Sequence, residues 1–251
     1  MTYRLGKKPA RAGAVRFKLA SYTNAAALPP LPATFGHDGL IGAREWGMLA
    51  NDRYGDCVWA GAAHETVLLA REAGHVASFT DRGVLGDYAA ATGFDPSKPE
   101  TDQGTDVQEA AEYRRTAGIA DANGNRHRIA AYLALEPGSV EHLFLATYLF
   151  GVAGIGLQLP ATAVAQSKSG EVWDVVAGAP LEGGHYVPLV GRQAAGLHVV
   201  SWGAVQVMTE KFLAAYCDEA IAYVSEECLV NQKSPEGFAY ADLMSDLAAL
   251  G

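Results

Sequence analysis

The most informative part of the sequence is residues 51–64, which read Asn-Asp-Arg-Tyr-Gly-Asp-Cys-Val-Trp-Ala-Gly-Ala-Ala-His. A loop containing Gly55 leads into Cys57, and apolar residues then recur at helical spacing as far as Leu69, before Gly74. The pattern predicts a helix that begins near Cys57. A cysteine at a helix N-terminus lies at the positive end of the helix dipole, which lowers the pKa of its thiol. Cys57 is therefore a candidate nucleophile, and a buried, inert cysteine is the alternative.

A nucleophilic cysteine needs a base within reach. His64 lies two helical turns beyond Cys57, about 10 Å away, so we expect it to be structural. His185 follows Gly183 and Gly184 and opens an apolar run that ends at Gly191. The two small residues leave room for the backbone of a ligand. We therefore predict a dyad of Cys57 and His185, assembled from two distant parts of the chain.

The remaining pattern places helices mostly in the first half and strands mostly in the second. Besides the Cys57 helix, helices are predicted over residues 105–116, with Thr105 and Gln108 as a capping box, and over 139–151, 209–223 and 239–250. Strands are predicted over residues 129–135, 152–159, 186–190 and 197–202, with a hairpin turn at Asn123-Gly124. This assigns the two other cysteines to a late helix (Cys217) and a late strand (Cys228). The order predicts an α+β fold of two lobes.

Composition excludes several classes of protein. The 251 residues are 49% hydrophobic and 19% charged, with three cysteines, which excludes a disordered chain, a coiled coil and a disulfide scaffold. Residues 143–165 are uncharged, but their glycines and Pro160 favour a buried helix followed by a buried strand over a membrane span. No cysteine and histidine spacing suits zinc. We expect no membrane association and no metal or cofactor.

Charge is distributed unevenly along the chain. Residues 1–18 carry six basic side chains and no acidic one, whereas the other residues carry 13 basic and 28 acidic side chains, a net charge of −15. An acidic body argues against nucleic-acid binding by that body. The basic residues could contact an acidic partner surface or the body of the protein itself. We therefore treat residues 1–40 as a basic arm and residues 41–251 as the main domain.

Five motifs occur in the order found in the papain-like cysteine peptidases, which residues 44–205 resemble. Gly55 and Cys57 resemble the nucleophile motif, and residues 185–191 and 199–203 resemble the histidine and Ser-Trp-Gly motifs. The resemblance implies a helical N-terminal lobe, over about residues 41–120, and an antiparallel β lobe, over about residues 121–235. A C-terminal helix at 239–250 has no counterpart in that family. The resemblance also implies roles for five residues: Asn51 in the oxyanion hole, Gln103 and Gly104 at the cleft, His185 as the base and Trp202 as its shield.

Three departures from the family pattern bear on activity. Val200 occupies the position of the family's histidine-orienting asparagine, and Ser201 can replace it only if the strand register shifts by one residue. Asn51 is one methylene shorter than the family's glutamine. The charge of Asp56 would oppose thiolate formation unless it is paired, for example with Arg53.

These observations leave two principal functions open. The first is a thiol hydrolase that acts on peptide or amide bonds of a peptide or protein substrate, with deamidation and transglutamination as related chemistry. The second is a papain-fold structural or binding protein with weakened or lost catalysis, within a phage particle or another large assembly. A bacterial or phage origin and a cytoplasmic or virion-associated location are expectations that go with this resemblance.

Overall fold

The computed structural model describes residues 3–11, 30–137 and 139–229. Seven α-helices lie in this part of the chain: α1 (Cys57–Glu72), α2 (Asp81–Thr92), α3 (Val107–Thr116), α4 (Val140–Phe150), α5 (Ala161–Ser169), α6 (Glu210–Tyr216) and α7 (Glu226–Leu229). The strands of the same part are β1 (Phe35–Gly36), β2 (Ile119–Ala120), β3 (Arg126–His127), β4 (Ile129–Ala134), β5 (Ala153–Pro160), β6 (Leu181–Gln193), β7 (Gly196–Ser201), β8 (Ala204–Met208) and β9 (Cys217–Ser225).

The main sheet is antiparallel and follows the order β4-β9-β5-β6-β7-β8, with β1 paired to β6. Strands β2 and β3 form a separate hairpin around the predicted Asn123-Gly124 turn. Because β1 pairs with β6 and Phe35 is buried in the core, the last residues of the predicted arm belong to the folded domain. Helices α1, α2 and α3 precede β4–β9 along the chain, and the main sheet is antiparallel, which confirms the predicted α+β class.

Helix α1 lies between the two halves of the molecule, and every residue from Cys57 to Ala70 is buried. A helix that is apolar on all sides must be surrounded by protein. Its first half packs with α2 and α3, and its second half packs on the sheet. A Cβ on Gly61 would lie 2.6 Å from the Tyr186 ring, so the absence of a side chain at residue 61 lets α1 approach β6 closely. This contact brings the start of α1 to the strand that carries His185.

Most of the predicted elements are confirmed, and three are corrected. Helix α3 begins with Asp106, not Thr105, as its cap, because the Asp106 carboxylate accepts from the N–H groups of Gln108 and Glu109. The predicted helix over residues 209–223 ends at Tyr216, and β9 follows. Cys217 consequently begins a strand and Cys228 lies in a helix, the reverse of the prediction. Helices α2 and α5 were not predicted, and the predicted helix over residues 239–250 lies outside the described residues.

The uncharged stretch of residues 143–165 contains the end of α4, all of β5 and the start of α5. Within the described ranges, no helix combines the length and the apolar character that crossing a bilayer requires.

Candidate active site

Cys57 is the first residue of α1, and only 1% of it is exposed. Burial raises the pKa of its thiol to about 11, although backbone hydrogen bonds from Tyr186 and Gly6 oppose this shift. Tyr186 directly follows His185 in β6. The structure therefore places the thiol against the strand that carries the predicted base, and it keeps the sulfur protonated at neutral pH.

His185 is fully buried and held on two sides. Its Nε2 lies 2.9 Å from the Ser201 hydroxyl, and its ring stacks on Trp202 with 4.7 Å between the ring centres. Its Nδ1 is buried and has no hydrogen-bond partner among the described residues. Burial lowers the pKa of the imidazole to about 3. The ring is therefore neutral at neutral pH, and a hydrogen on Nε2 that is donated to Ser201 leaves the Nδ1 lone pair available as a base.

The contact between Ser201 and His185 depends on an irregularity between β6 and β7. Leu189 pairs with Val199, but Gly191 pairs with His198, so β6 contains one extra residue at this point. Such a bulge shifts the register by one residue, which is the shift that an orienting role for Ser201 requires. Val200, which the motif alignment placed in the orienting position, is 1% exposed and belongs to the hydrophobic core.

Asn51 lies at the start of the nucleophile helix, but its amide makes a different contact from the one predicted. Its Nδ2 donates to the Asp56 carboxyl at 3.0 Å inside the protein. Burial raises the pKa of Asp56 to about 8, so this carboxyl is largely protonated at pH 7, and its charged form raises the pKa of the Cys57 thiol. Arg53 does not neutralise Asp56 as suggested from the sequence, since it pairs with Asp81 at 2.7 Å on the surface.

Strained backbone surrounds the site. The non-glycine residues with positive φ in the described part of the chain are Leu49 (55°), Ala50 (67°) and Trp202 (50°). Such conformations cost about 1–3 kcal/mol each and persist only where surrounding contacts enforce them. A Cβ on Gly203 would lie 2.8 Å from the Gly47 carbonyl, so the turn after β7 packs directly on the loop that precedes Cys57. This packing holds the Trp202 turn and the Asn51 loop against each other.

Residues 3–11, which we call the covering segment, lie across the site. The Lys7 N–H donates to the Gly184 carbonyl at 3.0 Å. Lys7 and Thr105 form a parallel bridge, in which the Thr105 N–H donates to the Gly6 carbonyl at 2.7 Å and the Lys8 N–H donates to the Thr105 carbonyl at 2.9 Å. A Cβ on Gly104 would lie 2.0 Å from the Gly6 carbonyl, and a Cβ on Gly184 would lie 2.1 Å from that of Lys7. These glycines admit a peptide backbone where any other residue would clash. Gly104 therefore contacts the covering segment, and its predicted place at the cleft stays a prediction.

Gln103 lies beside Gly104, but its amide contacts the Glu100 carbonyl at 3.1 Å on the exposed side. Its predicted role at the cleft stays a prediction.

The covering segment is also bound by charge. Arg4 pairs with Asp102 at 2.9 Å, Lys7 with Asp218 at 3.0 Å, and Arg11 with Asp106 at 2.6 Å. The uneven charge distribution allowed the basic residues to contact either an acidic partner or the body of the protein. Arg4, Lys7 and Arg11 contact the body.

A buried polar network beneath His185 was not predicted. The Tyr186 hydroxyl donates to Glu65 at 2.6 Å, Glu65 pairs with Arg114 at 2.7 Å, and the Arg114 guanidinium lies 4.2 Å from the centre of the Tyr223 ring. These residues come from α1, α3, β6 and β9, so the network ties the nucleophile helix to the histidine strand. Glu65, the acidic residue within the buried part of α1 (Cys57–Ala70), was the available sequence signal, since an acid there needs a partner.

Two other expectations concern residues outside the dyad. His64 contacts the Gly47 carbonyl at 3.0 Å, and burial lowers the pKa of its ring to about 4, which fits a structural role. Among the described residues, no group of three or more His, Cys, Asp or Glu side chains is arranged to hold a metal ion.

Similar proteins are found by structure and not by sequence. No protein-family model matches the sequence, and no curated protein matches it. The structure is similar to xylellain, a cysteine protease from Xylella fastidiosa, with a TM-score of 0.66 and 13% identity over 88% of this chain and 96% of that one. It is also similar to procathepsin B S9 from Trypanosoma congolense, with a TM-score of 0.61 and 13% identity over 89% and 86% of the two chains. The Carica candamarcensis cysteine protease CMS1MS2 gives a TM-score of 0.54 and 12% identity over 77% and 98%.

The chain has the papain-like fold. This confirms the papain-like α+β fold that the five motifs imply. Within this fold, a buried thiol at a helix start lies against the strand that carries a buried, neutral imidazole.

Proposed function

We propose that this chain is a thiol hydrolase that acts on peptide or amide bonds through Cys57 and His185. The observation that carries the proposal is the unpartnered Nδ1 of His185. Its Nε2 is held by Ser201, and the adjacent residue in β6 contacts the Cys57 thiol. An unsatisfied buried nitrogen costs about 1–3 kcal/mol. Such a cost is understandable where the nitrogen receives a proton during catalysis.

The proposed reaction proceeds in two steps. His185 Nδ1 takes the thiol proton as the sulfur bonds to the substrate carbonyl carbon, and the carbonyl oxygen becomes an oxyanion. The Cys57 N–H and one N–H of the Asn51 amide donate to that oxyanion, while the other N–H of the Asn51 amide remains hydrogen-bonded to the Asp56 carboxyl. The carbon–nitrogen bond then breaks as Nδ1 returns the proton to the leaving amine. Water hydrolyses the thioester in the second step and regenerates the thiol.

The covering segment must leave before this reaction begins. The Gly6 backbone lies against Gly55 and Gly104 and acts on the pKa of the Cys57 thiol, so the segment occupies the approach to the sulfur in the covered state. Departure of the segment admits water, which weakens the desolvation that raises the thiol pKa and lowers the imidazole pKa. The resemblance to a cathepsin in its proform is compatible with a covered state that precedes activity.

Alkylation of Cys57 by iodoacetamide, followed by intact mass as a function of pH, tests the proposal. A Cβ on Gly6 would lie 1.8 Å from the Gly55 carbonyl, so Gly6→Ala displaces the covering segment without altering the body. Pro9→Ala, at an exposed position of the same segment, is the matched control. We expect slow alkylation in the wild type and in Pro9→Ala, and fast alkylation near pH 6 in Gly6→Ala that is lost when His185→Ala is added.

The opposite result would favour the second function. If Cys57 in the Gly6→Ala chain titrates near the ordinary thiol value of about 8.5, and His185→Ala changes nothing, no thiolate–imidazolium pair forms. The papain-like fold would then serve binding, not catalysis.

A further inference from the structure

Lys7 occupies an unusual position for a lysine. Its side chain is fully buried. By contrast, Arg4 and Arg11, which also form ion pairs in the covering segment, have side chains that are about half exposed. Its Nζ lies 3.0 Å from Asp218 and 3.7 Å from Glu219, and it donates to the Lys8 carbonyl at 3.0 Å. A buried ammonium is stable only with such partners. The Lys7 side chain therefore fills a pocket in the body of the protein.

We call this the acidic pocket and define it by Gly156, Gln158, Asp218 and Glu219. A Cβ on Gly156 would lie 2.1 Å from the Lys7 Cε, so the bare backbone of β5 forms the wall along the aliphatic stem. Gln158 donates to Asp218 at 2.6 Å, which fixes that carboxylate beside Lys7. The pocket thus offers an apolar channel and a charged end, as a lysine side chain requires.

Two consecutive acids reach the same pocket because of a bulge. Successive residues of a regular strand point to opposite faces. Here Gly156 pairs with Glu219 and Leu157 pairs with Cys217, so Asp218 is an extra residue in β9. Burial raises the pKa of Glu219, and Lys7 opposes this shift. A site with two acids therefore favours a cationic occupant over a neutral one.

The acidic pocket lies one residue further along the covering segment than the contact with Cys57. Lys7 donates its backbone N–H to Gly184, the residue before His185, and the preceding residue Gly6 contacts the Cys57 sulfur. A peptide that places a basic side chain in the acidic pocket thus sets a neighbouring peptide group beside the thiol. We propose that the acidic pocket selects substrates with a lysine or arginine side chain, and that Lys7 fills it in the covered state. The claim about cleavage rests on the proposed function, whereas the claim about binding does not.

The first experiment measures how strongly Lys7 holds the covering segment in the full chain. Cys57 alkylation reports opening of the segment, so the rate rises with the open population. Truncating one partner of a buried charge pair costs enough to raise that population about 30-fold or more. We expect this rise for Lys7→Met, and less than about threefold for the matched control Lys8→Met, because the Lys8 side chain is not in the acidic pocket.

A double-variant cycle assigns the effect to the acidic pocket. With Asp218→Asn and Glu219→Gln in place, Lys7→Met should change the alkylation rate by less than about threefold, because the charges that hold Lys7 are gone. Equal rates for Lys7→Met and Lys8→Met in the natural pocket would overturn the assignment, and so would an undiminished Lys7→Met effect in the neutral pocket. The comparison of the two lysine variants stands even if the pocket variants fail to fold.

The second experiment tests added peptides with the full chain that carries Gly6→Ala. A synthetic peptide of residues 3–11 should protect Cys57 from alkylation, and the same peptide with methionine at position 7 should need a concentration about 30-fold higher. Absence of protection by the lysine peptide, or equal protection by both, overturns the proposal.

Cleavage separates this proposal from the proposed function. A working dyad that cleaves peptides without preference for lysine or arginine overturns the acidic pocket alone. Selective protection by the lysine peptide together with an inert dyad supports the pocket and overturns the hydrolase.

Discussion

Replacing Glu65 with glutamine tests whether the buried network holds the two halves of the site together. Glu65 is fully buried, and it pairs with Arg114 at 2.7 Å and accepts the Tyr186 hydroxyl at 2.6 Å. Glutamine keeps the shape and still accepts from Tyr186, but it leaves the Arg114 cation without a counter-charge. Burial lowers the pKa of Arg114, but Glu65, Tyr223 and Tyr186 together raise it above its ordinary value, so Arg114 stays charged. Breaking a buried pair in this way costs about 3–5 kcal/mol.

Denaturant unfolding measures the loss directly, since a change in the midpoint at constant slope reports a change in the free energy of unfolding. For a chain of this size the cost corresponds to a fall in melting temperature of about 6–20 °C. Glu210→Gln is the matched control, because Glu210 pairs with Arg192 at 2.9 Å on the surface, and we expect a loss below about 1 kcal/mol there. A double replacement, Glu65→Leu with Arg114→Met, should recover most of the stability that Glu65→Gln loses. Equal losses for Glu65→Gln and Glu210→Gln would refute this account of the network.

Three further substitutions probe the site, each with its own measurement. Burial raises the pKa of Asp56 in the folded chain to about 8. Its contribution to stability is therefore complete below the unfolded pKa of about 4 and is lost as the pH rises to about 8. Asp56→Asn should remove this dependence of the free energy of unfolding on pH, at most about 1.4 kcal/mol per pH unit, from a stability-against-pH curve. In the open chain, Ser201→Ala should reduce the alkylation advantage near pH 6 by about 10-fold or more, because loss of a buried hydrogen-bond partner costs about 1–3 kcal/mol. Val200→Ala should lower only the free energy of unfolding, by about 1–3 kcal/mol. Similar pH profiles for the two variants would contradict the role of the hydroxyl. Gly61→Ala should lower the free energy of unfolding in urea by about 1–3 kcal/mol, because its Cβ meets an aromatic ring at 2.6 Å. Gly86→Ala, which has open space around it in α2, should raise that free energy by about 0.5–1 kcal/mol. A gain in stability from both substitutions would disprove the close approach of α1 to β6.

The sequence was most informative where the deciding interactions are local. Helix α4 was predicted well because Ser139 caps it and Gly151 ends it with a positive φ of 81°. The end of α6 was missed because β9 is a strand only through its pairing with β4 and β5, which lie far away along the chain. Propensity is a weak guide where such pairing decides the structure.

The same distinction explains the site. Cys57 and His185 were proposed from local patterns, a helix start in one case and two preceding glycines in the other. The contact of Ser201 with His185 depends on a bulge in β6, and that of Lys7 with Asp218 joins residues 211 positions apart. A bulge and a long-range pair have no local signature in a single sequence.

The covering segment and the protonation of the dyad have one physical cause. Burial moves the pKa of Cys57 up and that of His185 down, and both shifts favour the neutral thiol and imidazole. A thiolate–imidazolium pair forms only when the thiol pKa falls below the imidazole pKa, which requires water or a compensating charge at the site. The covering segment excludes that water, with its own backbone at the sulfur and its aromatic residue Tyr3 stacked on Trp202 at 4.3 Å. In the proposed reaction, departure of the segment both clears the substrate position and brings the two pKa values toward each other, so that access to the cleft and activation of the thiol become a single event.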